Sequence, residues 1–128
     1  MASPVLYAEQ VDVASVDVPE SWPRIPGAKE DPLPGTPVLV GTRPGGELHV
    51  RGARVQGYVN GVESTDPSRV MRLDIGAEPG DSGGPVVDAD GHLVGIVYLR
   101  ERVTGRALVI PISEVRAALA GAVTAGNC

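Results

Sequence analysis

After residue 37 the chain repeats one pattern, in which short apolar or alternating runs are separated by turn signals such as Asn60-Gly61 and Asp90-Gly91. Asn-Gly and Asp-Gly pairs favour the tight turns that join antiparallel strands. The pattern predicts strands at 37–42, 47–58, 69–75, 84–88, 92–100 and 106–112. Short strands joined by tight turns in this way predict an all-β domain, a small closed antiparallel barrel.

The segments before and after this region have other sequence patterns. Residues 4–18 alternate apolar and polar side chains with a period of two, which predicts two short strands. Half of the twelve prolines lie in 19–37, so we expect an extended connection there, with Trp22 pinning it to a packed surface. After the barrel, Ser113 is a suitable N-cap, and apolar residues at helical spacing predict a helix over 114–121.

The charge and the apolar runs of the chain exclude two classes of function. The formal net charge is −5, and no basic stripe exists to neutralise phosphates, so nucleic-acid binding is not expected. The longest apolar runs, at 93–99 and 117–123, fall far short of the roughly 20 residues that span a bilayer. The first residues lack the features of a signal peptide, and we expect any export signal or membrane anchor upstream of them.

The single cysteine, Cys128, allows two interpretations. It is either an exposed tail residue or half of a disulfide with an upstream cysteine outside this sequence, which would fit an exported protein. Together with two scattered histidines it makes no recognisable ligand set, so no metal or other cofactor is predicted.

The segment that carries chemistry is Gly-Asp-Ser-Gly-Gly-Pro at 80–85. A serine hydroxyl is a poor nucleophile unless a base takes its proton and the developing oxyanion is stabilised. Backbone N–H groups can stabilise the oxyanion if they converge on one point, and glycines on both sides of Ser82 permit the unusual backbone angles that this needs. A serine on a rigid loop between strands is a sound catalytic arrangement, which makes Ser82 the candidate nucleophile.

This segment, GDSGGPVV, resembles the nucleophile motif of trypsin-like serine proteases. The runs LVGIV and ALVIPISEVRAAL that follow it resemble the C-terminal part of bacterial trypsin-like and HtrA-like proteases. Upstream, YAEQVDVASVDVP resembles the strand that delivers the triad aspartate, with Ser15 in place of the usual apolar residue. Over residues 5–122 the chain is most similar to the latter half of MarP-like, membrane-anchored periplasmic proteases of actinobacterial type. The resemblance implies a six-stranded Greek-key barrel, the C-terminal barrel of the trypsin-like fold, with a C-terminal helix.

The resemblance also implies roles for individual residues. Ser82 would be the nucleophile, Asp12 would orient the base, and the N–H groups of Gly80 and Ser82 would form the oxyanion hole. Asp81 would be a buried carboxylate that helps to set the loop. Two alternatives stay open for the acidic member of the triad: Asp12 as an ordinary exposed strand residue, and Asp17 in its place.

Substrate is expected along the strand that follows the nucleophile. Tyr98, Leu99 and Arg100 would line the edge where the substrate main chain pairs and where the primary pocket opens, with Arg100 at its entrance. Gly76 would lie on the floor of that pocket. Together with Ala77 it brings no charge, which favours a small or medium apolar side chain at the cleaved position.

One member of the catalytic triad is missing from the sequence. In the family the base is a histidine upstream of the triad aspartate, whereas His49 and His92 both lie downstream and fit surface or edge-strand positions. We therefore expect the chain to be a fragment. Its expected parts are remnant strands of the N-terminal barrel at 1–18, a proline-rich connection at 19–36, the C-terminal barrel at 37–112, and a helix and tail at 113–128.

Three functions follow as hypotheses. The first is a serine endopeptidase that hydrolyses peptide bonds through an acyl-enzyme, whose missing N-terminal barrel carries the histidine, so that this chain alone is inactive. The second is a non-catalytic module that binds peptides at the strand edge near 98–100. The third is a half-enzyme that takes its histidine from a partner chain. An intact Ser82 in an intact loop favours the first, exported to the periplasm or beyond and acting on peptides or proteins.

Overall fold

The computed structural model describes residues 5–8, 13–16, 24–61, 67–120 and 123–124. The first strands are β1 (Val5–Ala8) and β2 (Val13–Val16). The next are β3 (Pro37–Thr42), β4 (His49–Asn60), β5 (Arg69–Gly76), β6 (Pro85–Asp88), β7 (Leu93–Arg100) and β8 (Arg106–Pro111). Helix α1 (Ile112–Ala120) and strand β9 (Val123–Thr124) complete the described chain.

Six of the strands form the closed antiparallel barrel that the turn spacing predicts. Their order around the barrel is β3-β4-β5-β8-β7-β6, and β6 pairs with β3 to close it. The pairings of β5 with β8 and of β3 with β6 join strands that are distant in sequence, as in a Greek key. The predicted fold class is therefore confirmed, and the strand bounds differ from the predicted ones by at most two residues.

The core of the barrel is built from medium-sized aliphatic side chains at alternate positions of each strand. In β3, for example, Val38 and Val40 are buried while Leu39 between them faces outward. Met71 and Leu73 of β5 have no exposed surface. The period of two places one face of each strand inside, which fixes the register of the barrel.

The C-terminal end differs from the prediction in two respects. The helix begins at Ile112, two residues before the predicted start, and Ser113 lies inside its first turn instead of preceding it. The chain then returns as β9, which pairs with β1 to form a three-stranded sheet in the order β2-β1-β9. A strand of two residues carries no periodicity that a sequence could reveal. Helix α1 contacts β1 and β2 on one side and β7 and β8 on the other. No helix within the described ranges is both long and apolar enough to cross a membrane.

The described part of the proline-rich connection, 24–36, contains neither a helix nor a named strand, and it forms a bridge to the first residue of β7. The N–H of Ala28 donates to the carbonyl of Leu93 at 2.9 Å, and the N–H of Leu93 donates to the carbonyl of Pro26 at 2.8 Å. The guanidinium of Arg116 in α1 donates to the carbonyl of Ala28. The connection is thus held between the barrel and the helix. Trp22, predicted to pin it, lies outside the described residues.

Asp31 of the connection joins three parts of the fold. Its side chain is only 6% exposed and accepts a hydrogen bond of 2.6 Å from Arg69 of β5. It also accepts hydrogen bonds from the N–H and the hydroxyl of Ser113, so that a carboxylate from a distant segment caps the first turn of α1. The Arg69 guanidinium lies 3.7 Å from the centre of the Tyr58 ring. Burial, together with the nearby Asp31 charge, raises the pKa of Tyr58 to about 12.

Replacing Asp31 by alanine is expected to lower the free energy of unfolding by about 2 kcal/mol, because it removes a helix cap and a charged hydrogen-bond partner at once. The measurement is urea denaturation followed by circular dichroism. Glu30→Ala is the matched control, since Glu30 is the exposed neighbour and carries the same charge. Equal urea midpoints of unfolding for the Asp31→Ala and Glu30→Ala variants would contradict this role of Asp31.

Candidate active site

Ser82 lies at the exposed tip of two consecutive turns between β5 and β6. The N–H of Asp81 donates to the carbonyl of Glu78 at 3.1 Å, and the N–H of Gly84 donates to the carbonyl of Asp81 at 3.0 Å. The third residue of each turn is a glycine with positive φ, +92° at Gly80 and +86° at Gly83, as a type II turn requires. The two glycines therefore determine the path of the backbone on either side of the serine.

The loop is attached to the barrel on its C-terminal side. The N–H of Gly83 donates to the carbonyl of Val97 at 2.7 Å, and the N–H of Val97 donates to the carbonyl of Gly84 at 2.8 Å. A Cβ at Gly84 would lie 2.4 Å from the carbonyl oxygen of Gly41. Glycine is thus needed at this position for the loop to approach β3 so closely.

A buried ion pair holds the loop on its other side. The side chain of Asp81 is 4% exposed, and its Oδ2 atom accepts hydrogen bonds from the Arg51 guanidinium and, at 2.8 Å, from the N–H of Glu78. Arg51, which lies on β4, also donates to the carbonyl of Gly76 at 3.0 Å. One arginine thus fixes both the carboxylate inside the loop and the end of the strand that leads into it.

The hydroxyl of Ser82 donates to the carbonyl of Tyr98 at 3.2 Å. Within the described residues, no hydrogen bond joins this hydroxyl to a histidine: His49 lies 3.8 Å from the carboxylate of Glu47, and His92 lies 3.9 Å from that of Asp88. Asp12 and Asp17 lie outside the described residues, so their role stays a prediction.

A cleft of 360 Å³ opens beside the serine. It is lined by Gly41, Thr42, Arg43 and Leu48 on one side and by Gly80, Ser82, Gly83, Gly84 and Pro85 on the other. Within the described ranges, the N–H groups of Gly80 and Ser82 donate to no acceptor of the protein. Gly80 and Ser82 both line the cleft, so their N–H groups remain candidate donors to the oxygen of a carbonyl group that enters it.

The pairing of β7 with β6 ends before residues 98–100. Strand β6 pairs with β7 only as far as Ile96, and the Gly83–Val97 and Gly84–Val97 hydrogen bonds extend this pairing by one residue. On the other side of β7, Leu99 and Arg100 pair with β8, and the register shifts between Val97 and Leu99. The Ser82 hydroxyl reaches this strand at the carbonyl of Tyr98. The strand on which the sequence predicts that the substrate main chain pairs thus begins beside the serine.

Gly76 and Ala77, the expected floor of the pocket, are hydrogen-bonded to β4 and to the turn before β8. The carbonyl of Gly76 accepts the hydrogen bond from Arg51, and the N–H of Ala77 donates to the carbonyl of Gly105 at 3.1 Å. Sequence reasoning identified Gly76 and Arg100 but missed Arg51 and Gly105. Only the barrel pairing brings β4 and the turn before β8 next to the nucleophile loop, and no local pattern marks those two residues.

One cluster of possible metal ligands occurs within the described ranges, in the turn between β6 and β7. Ligand atoms of Asp88, Asp90 and His92 lie within 4.8 Å of one another. Oδ1 of Asp88 accepts hydrogen bonds of 2.9 Å from the N–H groups of Asp90 and His92, so this carboxylate already serves to close the turn.

A sequence profile of the trypsin-like peptidase domain matches residues 1–96, three quarters of the chain and most of the barrel described above. The chain belongs to the trypsin-like peptidase family. Among characterised members, an HtrA-like serine protease of Staphylococcus epidermidis is 37% identical over 95 residues, which cover 62% of this chain and 16% of that protein.

Solved structures of the family have the same architecture. The active form of the Rv3671c protease from M. tuberculosis is 30% identical, with a TM-score of 0.79, over 94% of this chain and 57% of that chain. Its inactive form is 30% identical, with a TM-score of 0.78, over 93% and 64%. The resemblance to trypsin-like and MarP-like proteases noted from the motifs is confirmed, and the present chain spans less than two thirds of these relatives.

Replacing Arg51 by glutamine is expected to loosen the nucleophile loop, because it leaves the Asp81 carboxylate buried without its cation. We expect the free energy of unfolding to fall by about 2 kcal/mol, and amide hydrogen exchange at residues 80–84 to accelerate more than in the rest of the barrel.

The matched control is Arg54→Gln. Arg54 lies on the same strand, and within the described residues its side chain makes one hydrogen bond, to the carbonyl of Gly35. Unchanged exchange at residues 80–84 in Arg51→Gln would show that the ion pair does not order the loop.

Proposed function

We propose that this chain supplies the nucleophile-bearing half of a serine endopeptidase. The observation that carries the proposal is the position of Ser82. Its hydroxyl is exposed at the tip of a loop fixed by an ion pair and by the β7 backbone, and two free N–H donors lie beside it. Membership of the trypsin-like peptidase family supports the same chemistry.

In the proposed reaction, the Ser82 oxygen attacks the carbonyl carbon of a peptide bond while a base takes its proton. The negative charge that develops on the substrate oxygen accepts hydrogen bonds from the N–H groups of Gly80 and Ser82. The base then gives its proton to the leaving amine as the carbon–nitrogen bond breaks, which leaves an ester on Ser82. Water, deprotonated by the same base, hydrolyses that ester and restores the hydroxyl.

The base is proposed to come from an N-terminal barrel outside this sequence, as a histidine oriented by Asp12. Two observations support this assignment. Among the described residues, the Ser82 hydroxyl is hydrogen-bonded to the Tyr98 carbonyl and not to a histidine, and the relatives are considerably longer than this chain. Asp12 directly precedes β2, whose sheet packs against α1 beside the barrel. The small sheet is thus suited to be the end of a first barrel.

The substrate is proposed to bind as an extended strand along residues 98–100, with the side chain before the cleaved bond in a pocket over Gly76. The end of the pairing of β7 with β6 before residues 98–100 and the contact between Ser82 and the Tyr98 carbonyl support this arrangement. We place the whole protein outside the cytoplasm, in the periplasm or beyond, because it resembles exported proteases. A disulfide from Cys128 to an upstream cysteine belongs to this proposal.

A second candidate function is favoured by one observation. The side of Leu99 and Arg100 that faces away from β8 pairs with no strand among the described residues and needs no base in order to bind a peptide, and within the same residues no base hydrogen-bonds to Ser82. A non-catalytic peptide-binding module would use this edge alone.

The 128-residue chain by itself is expected to react with a fluorophosphonate, which labels activated serines, no faster than its Ser82→Ala variant. Without a base, the oxyanion donors and substrate binding together supply only about 10³–10⁴-fold acceleration over water. Addition of the N-terminal barrel, in one polypeptide or as a separate chain, should restore labelling of Ser82 and cleavage of a peptide panel. Labelling that stays absent after this addition, with peptides still bound, would favour the binding module.

A further inference from the structure

Two arginines that have no anionic partner among the described residues flank the nucleophile loop. Within the described residues, the Arg43 side chain makes one long hydrogen bond, of 3.4 Å, to the carbonyl of Gly46 in its own turn. The Arg100 side chain makes no hydrogen bond or ion pair within the described ranges. Both residues are exposed, although the chain as a whole carries a net charge of −5.

Arg100 lies at the pocket expected for the side chain before the cleaved bond. A Cβ at Gly105 would lie 3.1 Å from Nη2 and 3.3 Å from Nε of Arg100, so the guanidinium rests on this glycine. The carbonyl of Gly105 in turn accepts the N–H of Ala77 and lies close to Gly76. The floor of the pocket carries no charge, as the sequence predicts, but its wall carries a guanidinium.

Arg43 lies on the other side of the nucleophile. It lines the 360 Å³ cleft together with Ser82, and none of residues 98–100 lines that cleft. The nucleophile loop therefore separates the cleft from the strand edge that receives the acyl side of the substrate. A peptide that crosses the loop places the residue after the cleaved bond beside Arg43.

The carboxylates around the site leave these two charges largely uncompensated. Asp81 is paired with Arg51, and Glu101 is paired with Arg72 at 2.6 Å. Glu78, at the start of the loop, is exposed and has no ion pair within the described part of the chain. Arginine side chains that are not paired with carboxylates attract negatively charged substrates even when the protein as a whole is acidic.

We propose that the site takes peptides with an acidic residue on each side of the cleaved bond, the one before it held by Arg100 and the one after it, in the cleft, by Arg43. This inference rests on the proposed peptidase function and names its substrate class. It replaces the apolar preference that Gly76 and Ala77 alone predict.

The expected size of the effect follows from the exposure of both arginines. Ion pairs of exposed side chains contribute about 0.2–1 kcal/mol, which corresponds to a preference of up to about fivefold at each position. The preference should weaken as salt is added, because the screening length falls to about 3 Å at 1 M ionic strength.

The test uses a set of four peptides with glutamate or glutamine before the cleaved bond and glutamate or glutamine after it. The first measurement needs no turnover and uses the 128-residue chain: nitrogen–proton NMR spectra of the arginine Nε–H groups during titration with each peptide. Glutamate before the bond should shift the Arg100 signal, and glutamate after it should shift the Arg43 signal. The second measurement is kcat/KM for the four peptides with the active two-barrel form.

Two variants and a matched control separate the positions. Arg100→Gln should abolish the preference for glutamate before the bond and leave the preference after it, and Arg43→Gln should do the reverse. Arg102→Gln, in the exposed turn two residues after Arg100, removes the same charge and should alter neither preference. Glu78→Gln should strengthen the preference for glutamate, because it removes a free carboxylate beside the site.

The outcomes distinguish this inference from the proposed function. If the two-barrel form neither cleaves the peptides nor reacts with a fluorophosphonate, the proposed function fails, and the arginine signals of the chain alone still decide which peptides it prefers. If the peptides are cleaved but glutamate and glutamine give equal kcat/KM and equal signal shifts, the acidic preference is overturned.

Discussion

The ion pair between Asp81 and Arg51 is the interaction on which the arrangement of the site depends. A loop that keeps two backbone N–H groups free needs an alternative source of order, because those groups would otherwise form hydrogen bonds within the protein. The buried Asp81 carboxylate orders the loop because it accepts hydrogen bonds from the N–H of Glu78 and from the guanidinium of Arg51. Because Arg51 belongs to β4, the order of the loop follows from closure of the barrel itself.

In the barrel, apolar packing and polar contacts have different roles. Its aliphatic core fixes β4, β5 and β7 relative to one another, and the polar contacts of the loop with β4 and β7 then position Ser82. In the proposed enzyme only the base comes from elsewhere. A single hydrogen bond from Ser82 to the Tyr98 carbonyl holds the hydroxyl in this state, and this bond must break before a base can take the proton.

Much of the fold could be predicted because the relevant signals are local. Alternation of apolar residues marks the strands, and pairs such as Asp90-Gly91 mark the turns, so the barrel followed from short segments. The start of α1 was misplaced because its first turn is capped by Asp31, a residue 82 positions from Ser113, which no local pattern indicates. The strand β9 is too short to have a pattern of its own.

The candidate site was predictable to the extent that its residues are adjacent in sequence. The Gly-Asp-Ser-Gly-Gly-Pro segment indicated Ser82 and the buried Asp81 directly. Arg51, Arg43 and Gly105 reach the loop only through the pairing of distant strands, and they were not identified. The position of the Arg100 guanidinium against Gly105 was also not predicted, because it depends on the turn before β8.

The most direct test of the account is to trap the covalent intermediate. The two-barrel form would be mixed with an ester or peptide substrate, quenched in acid within milliseconds to seconds, digested, and examined by mass spectrometry. The account predicts the acyl group of the substrate on the peptide that contains Ser82, and its absence in Ser82→Ala. Substrate hydrolysis that persists in Ser82→Ala, with no ester on Ser82 in the unaltered protein, would contradict it.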